Sequence, residues 1–172
     1  MRLWRLSSAR HARVFDGGYG LLFNGRWNTK GRPVTYCSTV PSLCALEKRI
    51  HVADPALLPD QVMIEYEAPE DLNKREVPLD HLSTGWDKRE TYTQRIGDMW
   101  LDDSEGALLV APSVIVPIAA APDRNVLIKV VEICGDHVRI GINAPDSIRI
   151  LRGELVQQID EARTDRGLAV GS

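Results

Sequence analysis

The sequence lacks the features that would assign it to several specialised classes of protein. It has three cysteines, Cys37, Cys44 and Cys134, and none forms a Cys-x-x-Cys pair. Neither a disulfide framework nor a zinc site is expected, and the cytoplasm is the predicted compartment. No apolar run approaches the roughly 18 to 20 residues of a membrane span, and residues 1–5 lack the apolar core of a signal peptide. A formal net charge of −3 excludes a global basic field for nucleic acid or membrane.

What remains is the composition of an ordinary globular protein. The 172 residues are 44% hydrophobic and 26% charged, enough for one domain, or one domain with a small appendage. The histidines are scattered without the spacing of metal ligands, so no metal is expected. Strands are predicted at residues 3–6, 21–27, 33–38, 61–68, 107–110 and 114–118. Helices are predicted at 41–51 and 87–101, and glycine-rich residues 17–20 as a mobile loop over a cleft. These elements indicate an α/β (α+β) fold.

The most informative stretch runs from Gly25 into the helix that carries Glu47. With Leu43 at zero and about 100° per residue, Glu47 falls near 40° on a stripe shared with Leu46 and Ile50. A carboxylate on an inward face costs several kcal/mol unless it is paired, hydrogen-bonded or faces a polar cavity. Two interpretations fit: a structural salt bridge, for example with Arg26, or a site for a cationic, phosphate-bearing ligand.

Motifs along the first three quarters of the chain occur in an order that resembles the RES domain family, named for its arginine, glutamate and serine. The resemblance covers roughly residues 1–127, and the domain is predicted at 1–125. It rests on Leu3-Trp4-Arg5, Gly25-Arg26-Trp27-Asn28, Gly31-Arg32-Pro33-Val34-Thr35-Tyr36, Ala45-Leu46-Glu47, Ile96-Gly97-Asp98-Met99-Trp100-Leu101 and Ala111-Pro112-Ser113-Val114-Ile115-Val116-Pro117.

The resemblance implies both a fold and an activity. RES domains resemble ADP-ribosyltransferases in fold and bind NAD as a substrate. Some members are toxins that break NAD down or transfer its ADP-ribose to a protein, and a helix-turn-helix (Xre-type) antitoxin neutralises them. The expected function is therefore an NAD-consuming toxin of a bacterial toxin–antitoxin pair, either an NAD glycohydrolase/phosphorylase or a protein ADP-ribosyltransferase. The expected assembly is a homodimer or a hetero-oligomer with the antitoxin.

The same resemblance assigns roles to individual residues. Breaking the nicotinamide–ribose bond passes through an oxocarbenium-like cation, which Glu47 would stabilise. Arg26 would clamp the pyrophosphate, because its planar fork suits phosphate oxygens. Tyr36 would stack on the nicotinamide or hold it through its hydroxyl, and Trp27 would form a second wall. Ser113 would hydrogen-bond the ribose or the carboxamide. Arg5 and Arg32 would be secondary phosphate contacts. The alternatives are core aromatics for Trp27 and Tyr36, a turn hydroxyl for Ser113 and a salt-bridge partner for Arg26.

The C-terminal part of the sequence departs from this pattern. Residues about 126–160 resemble the latter part of the carbon-storage-regulator (CsrA) family, with the block Val138-Arg139-Ile140-Gly141-Ile142-Asn143-Ala144-Pro145. A segment at 126–162 is predicted, with a β-meander, a short helix and a probable flexible tail at 163–172. Members of that family bind RNA as interlocked dimers. Only Arg152 clearly matches an RNA-contacting arginine and the first strand is absent, so any RNA binding would be weak and salt-sensitive. The alternatives are a segment that completes or dimerises the fold, or a fusion that leaves the RES domain damaged.

Overall fold

A computed structural model describes residues 1–52, 54, 58–103, 106–119, 122–134 and 137–140, with side chains up to residue 130. The predicted C-terminal helix, Arg152 and the tail at 163–172 lie outside the described residues. None of the described helices is long and apolar enough to span a membrane.

Seven strands and three α-helices make up the regular structure of the described residues. The strands are β1 (Arg2–Ser8), β2 (Val34–Ser38), β3 (Gln61–Glu67), β4 (Lys74–Glu76), β5 (Leu108–Pro112), β6 (Arg124–Cys134) and β7 (His137–Ile140). The helices are α1 (Gly18–Leu22), α2 (Pro41–Ile50) and α3 (Glu90–Asp102), and short 3-10 turns occupy Ala9–His11, Leu79–His81 and Trp86–Lys88. The predicted α/β class is confirmed.

The strands form a mixed sheet with the order β3-β1-β2-β6-β5-β4, and β7 pairs with β6. All neighbours are antiparallel except β4 and β5, which are parallel. Strand β6 carries the centre of this arrangement, because it pairs with β2 on one side and β5 on the other. The C-terminal part of β6 pairs with β7, and these two strands form the first hairpin of the predicted meander.

The register places polar and apolar side chains on defined faces of the sheet. Ser38, Asn125 and Ala111 lie side by side across β2, β6 and β5. Tyr36, Leu127 and Leu109 form the neighbouring row. Because side chains alternate along a strand, both rows lie on the same face, about 7 Å apart.

Both faces of the sheet are covered by hydrophobic residues. The first core joins Leu3, Phe15, Cys37, Ala68, Leu72, Ala107, Leu108, Val126, Ile128 and Val130. The second core lies on the face of the two rows and joins Trp27, Val34, Trp86, Trp100, Leu109, Ala111 and Leu127. Burial on both faces explains why β5 and β6 read as continuous apolar runs.

Two predicted strands are wrong. Residues 21–27 do not form a strand, because residues 21 and 22 end α1 and the backbone N–H of Gly25 donates to the Asn28 carbonyl in a tight turn. Their apolar start lies at the end of α1 and at the residue that follows it, where Leu22 and Phe23 are 61% and 55% exposed. Residues 114–118 also leave the sheet, since the Ser113 hydroxyl accepts the backbone N–H of Ile115 at 3.0 Å and turns the chain. The glycine run 17–20, predicted as a loop, starts α1.

Candidate active site

Three side chains that are far apart in sequence meet at one carboxylate. Glu47 Oε1 accepts a hydrogen bond from the Ser113 hydroxyl at 2.9 Å and another from the Asn125 side-chain amide at 3.0 Å. Ser113 and Asn125 are 0% and 8% exposed, and Glu47 is half-buried. These three residues are called the carboxylate cluster below. The inward carboxylate predicted from the helix pattern is therefore hydrogen-bonded.

Helix α2 delivers Glu47 through its inward side. Pro41 occupies the first turn, where its missing N–H costs no hydrogen bond. Leu43 and Cys44 are the buried residues of the helix, and Glu47 lies one turn further on, at an angle between theirs. Leu46 and Ile50 are 44% and 55% exposed, so the apolar stripe predicted through them is wrong. The buried side is rotated toward Cys44, and Glu47 stays on it.

The Ser113 hydroxyl has one direction in which to donate. Its oxygen accepts the backbone N–H of Ile115 at 3.0 Å and, at 3.4 Å, that of Val116. Its single proton is thereby left for Glu47. The turn after β5 thus orients the Ser113 hydroxyl toward the carboxylate. Ser113 is both the turn hydroxyl and a contact inside the site, the two roles considered for it.

One oxygen of Glu47 remains available. Within the described part of the chain, Glu47 Oε2 makes no hydrogen bond, and no ion pair joins Glu47 to Arg26. The interpretation of Glu47 as the salt-bridge partner of Arg26 is therefore wrong. A half-buried carboxylate with one oxygen held and the other free is suited to accept a hydrogen bond from a ligand or to face a positive charge.

Arg26 stands at the tip of a tight hairpin. The backbone N–H of Gly25 donates to the Asn28 carbonyl at 2.9 Å, which leaves Arg26 and Trp27 as the two central residues. Gly25 has no room for a side chain, because an added Cβ would lie 2.5 Å from the Tyr36 hydroxyl. Arg26 is half-buried, and its guanidinium has no hydrogen bond or ion pair among the described residues.

Helix α3 holds this hairpin from its other side. The Thr93 hydroxyl donates to the Arg26 carbonyl at 2.7 Å, and the Gln94 amide donates to the Gly25 carbonyl at 3.0 Å. Gly97 lies directly against the backbone of Trp27, since an added Cβ would lie 1.7 Å from the Trp27 carbonyl oxygen. The backbone at Arg26 is therefore fixed while its side chain is free, as a binding residue requires.

Tyr36 joins the hairpin to the sheet. Its hydroxyl donates to Asn28 Oδ1 at 2.7 Å and accepts the backbone N–H of Trp27 at 3.0 Å. Burial raises the pKa of Tyr36 well above its ordinary value. Because both hydrogen bonds are internal, the hydroxyl holds the hairpin, and the expectation that it holds a ligand is not supported. The half-buried ring remains open to the stacking role.

Trp27 belongs to the core rather than to a ligand-facing wall. Its side chain is 0% exposed and packs against Trp86 with ring centroids 6.0 Å apart. Of the two roles considered for Trp27, the structure supports the core aromatic.

The two secondary arginines are occupied elsewhere. Arg5 donates to the Val14 carbonyl at 2.6 Å and lies over the Phe15 ring. Arg32 donates to both carboxylate oxygens of Asp102, at 3.0 and 2.8 Å, and this hydrogen bonding raises its pKa. Neither guanidinium joins the carboxylate cluster, so their predicted role as phosphate contacts has no support in the geometry.

Carboxylate cluster and hairpin stand on neighbouring rows of one sheet face. Asn125 belongs to the Ser38 row, and Tyr36, which holds the hairpin, belongs to the next row. Glu47 supplies a carboxylate and Arg26 a guanidinium, the two charges that a ligand with a cation near one end and phosphate near the other would require. Among the described residues, no group of His, Cys, Asp and Glu side chains is arranged to hold a metal ion.

Comparison with known proteins is decisive for the family. The sequence matches the RES domain over residues 2–139. The chain belongs to the RES domain family. The protein named Toxin Res from Photorhabdus laumondii is 36% identical over 121 residues, which are 68% of this chain and 76% of that relative. Toxin Res from Pseudomonas putida is 34% identical over 119 residues, 68% of this chain and 79% of that relative.

A second match covers the end of the RES domain and the residues beyond it. Residues 118–161 match the global regulator protein family. The translational regulator CsrA of Desulforamulus reducens is 43% identical over 37 residues, 22% of this chain and 46% of that relative. The two matches share residues 118–139, which contain all of β6 and most of β7. The boundary at 125–126 stays a prediction, and β6 runs through it without a break.

Several residues of this RES site escape a reading of the sequence alone. Asn125 completes the carboxylate cluster. It is the asparagine with which a RES domain is expected to continue after residue 124, but the sequence assigned it no role. Asn28, Thr93 and Gln94 hold the hairpin, and Asn28 and Thr93 are fully buried. The roles of Thr93 and Gln94 depend on contacts 67 and 69 positions away along the chain, which no local pattern encodes. Asn28 accepts the Tyr36 hydroxyl from eight positions away.

Proposed function

We propose that this RES protein is an NAD-consuming toxin that cleaves the bond between nicotinamide and ribose. The observation that carries the proposal is the carboxylate cluster, in which Glu47 is held through one oxygen while the other has no hydrogen bond from any described residue. The relatives named Toxin Res support the toxin part, and the chemistry of the cluster and hairpin supports the substrate.

Glu47 supplies the electrostatic centre of the proposed reaction. When the bond between C1′ of the ribose and the nicotinamide nitrogen breaks, its electron pair leaves with nicotinamide, which becomes neutral. The ribose is left as an oxocarbenium-like cation, and a carboxylate fixed beside it lowers the energy of that charge. An acceptor oxygen from water, phosphate or a protein then bonds to C1′ and releases its proton to solvent.

Arg26 and Tyr36 provide the proposed binding contacts. The guanidinium of Arg26, which has no partner among the described residues, offers two parallel N–H donors to the pyrophosphate. The half-buried ring of Tyr36 offers an aromatic face to the nicotinamide, which carries the positive charge before cleavage. Ser113 acts on Glu47 rather than on the substrate in this scheme, since its one proton is already donated.

The partner and the compartment belong to the proposal as well. A toxin that removes NAD inside its own cell requires neutralisation, so we propose a helix-turn-helix antitoxin as partner and the cytoplasm as compartment. Assembly as a homodimer or as a complex with that antitoxin is proposed on the same ground.

The test is NAD loss with wild type and Glu47→Gln. Glutamine keeps the acceptor oxygen for Ser113 and Asn125 and removes the charge, so the fold should be retained. We expect activity to fall about 100-fold or more. Removal of one electrostatic contact to a transition state lowers kcat by a factor of this size. The matched control is Glu67→Gln, an exposed carboxylate on β3, which should keep full activity.

The reaction products show whether phosphate, water or a protein accepts the ADP-ribose. Dependence on added phosphate, with a phosphorylated ADP-ribose by mass spectrometry, indicates phosphorolysis, and free ADP-ribose indicates hydrolysis. Label from NAD that stays on a polypeptide indicates protein ADP-ribosylation. Folded wild type that leaves NAD intact would refute the proposed reaction.

The match to the global regulator family favours RNA binding through the C-terminal segment as the second candidate. A salt-dependent gel shift with GGA-containing RNA, unaffected by Glu47→Gln, would support that function in its place.

A further inference from the structure

Asn125 is a buried amide with a single described hydrogen bond from its side chain. It lies at the second residue of β6, between Ser38 and Ala111, and is 8% exposed. Its backbone serves the sheet, and the side-chain amide donates to Glu47 Oε1 at 3.0 Å. Buried polar side chains are retained where they have a partner, and for Asn125 that partner is Glu47.

Two donors on one carboxylate oxygen determine how the carboxylate is oriented. A single hydrogen bond lets a carboxylate swing about the donor, whereas two donors from separate strands fix the direction of the oxygen they share. Ser113 reaches Glu47 from the end of β5 and Asn125 from the start of β6. With Oε1 held from both strands, Oε2 keeps one position.

We infer that Asn125 is a positioning residue for the reaction, which acts by fixing the Glu47 carboxylate against the substrate ribose. This inference rests on the proposed function and extends it to a residue to which the sequence assigned no role. Residues that orient a catalytic group contribute to the transition state without adding a substrate contact.

Asn125 is also a cleaner probe of this role than Ser113. The Ser113 hydroxyl shapes the turn at 113–116 through two backbone N–H groups, so its removal changes the chain path as well as the site. Removal of the Asn125 amide takes away one described hydrogen bond and leaves the ladder of β6 in place.

The experiment is a double-mutant cycle between Asn125 and Glu47 with NAD turnover as the readout. We expect Asn125→Ala to lower kcat about 10- to 100-fold, as removal of orienting partners does. The KM for NAD should change less than about threefold, since the pyrophosphate contact of Arg26 is untouched. In the Glu47→Gln background, Asn125→Ala should cause no further loss, because the carboxylate that it positions is gone.

Controls keep the result independent of folding. Asn73→Ala removes an exposed asparagine and should leave turnover unchanged. If Asn125→Ala fails to fold, Asn125→Leu keeps a similar side-chain volume, removes the donor without adding a charge beside Glu47, and should show the same loss of kcat. Circular dichroism and the melting temperature establish that each variant is folded.

The outcomes separate this inference from the proposed function. Loss of activity in Glu47→Gln with full activity in Asn125→Ala overturns the inference and leaves the proposed function standing. A loss that persists in the Glu47→Gln background, or a rise in KM alone, also overturns it. Wild type that leaves NAD intact overturns both.

Discussion

Substitution of Gly97 by alanine tests whether the hairpin that carries Arg26 depends on close contact with α3. Gly97 lies within the helix, four residues after Thr93. An added Cβ would lie 1.7 Å from the carbonyl oxygen of Trp27 and 3.1 Å from its Cβ. Atoms do not approach so closely, and the nearest one is backbone rather than the end of a flexible side chain. The hairpin or the helix must therefore move.

Two opposing effects decide the sign of the change in stability. Alanine is favoured over glycine inside a helix by about 1 kcal/mol, which would stabilise the protein if the site were open. Inserting a methyl group into a packed contact costs about 1–3 kcal/mol, and a contact at 1.7 Å lies at the upper end of that range. We expect a net loss of about 2 kcal/mol, which lowers the melting temperature of a chain of this size by about 4–8 °C.

Urea unfolding and thermal melting measure the stability, and NAD loss measures the site. The matched control is Arg95→Ala, an exposed position on the same helix that should stay within about 0.5 kcal/mol of wild type. Displacement of the hairpin should reduce the affinity for NAD even where the variant is still folded. A Gly97→Ala protein as stable and as active as wild type would show that the close contact does not hold Arg26.

The remaining predictions concern buried titratable groups. Tyr36→Phe leaves Asn28 Oδ1 and a backbone N–H without the hydroxyl, so we expect a loss of about 1–3 kcal/mol in urea unfolding at pH 8. Because burial raises the pKa of Tyr36, its folded form stays protonated where the unfolded form ionises; wild type should lose stability as pH rises above about 10. The decline should be smaller in Tyr36→Phe, where other groups such as the buried Cys37 thiol still contribute. Burial also raises the pKa of Cys37 to about 12, so in a variant with Cys44→Ser and Cys134→Ser its thiol should react with iodoacetamide at pH 8 only after unfolding. Rapid labelling of that folded variant would contradict the described burial of the thiol.

Local patterns in the sequence were enough to predict helix α2 and strand β2. Helix α2 was predicted at 41–51 and lies at Pro41–Ile50, because its 3.6-residue period depends on contacts three and four positions apart. The strand predicted at 33–38 matches β2, whose apolar and β-branched residues suit a pleated surface. The apolar run at 21–23 was wrongly predicted to begin a strand. A local pattern does not show whether a segment finds a partner strand in the sheet.

The sequence by itself determined which chemical groups this RES domain has at hand. An acid on the inward side of α2, an arginine in a glycine-bounded turn and a serine after a buried strand could all be read from neighbouring residues. Tertiary structure alone decided which groups act together. The register of β2, β6 and β5 brings Asn125 and Ser113 to Glu47 across 78 and 66 positions of chain. Burial moved Trp27 into the core, and internal hydrogen bonds engaged Arg32 and the hydroxyl of Tyr36. The physical reason is that strand register and side-chain burial depend on the packing of distant segments, whereas helix periodicity depends on neighbours.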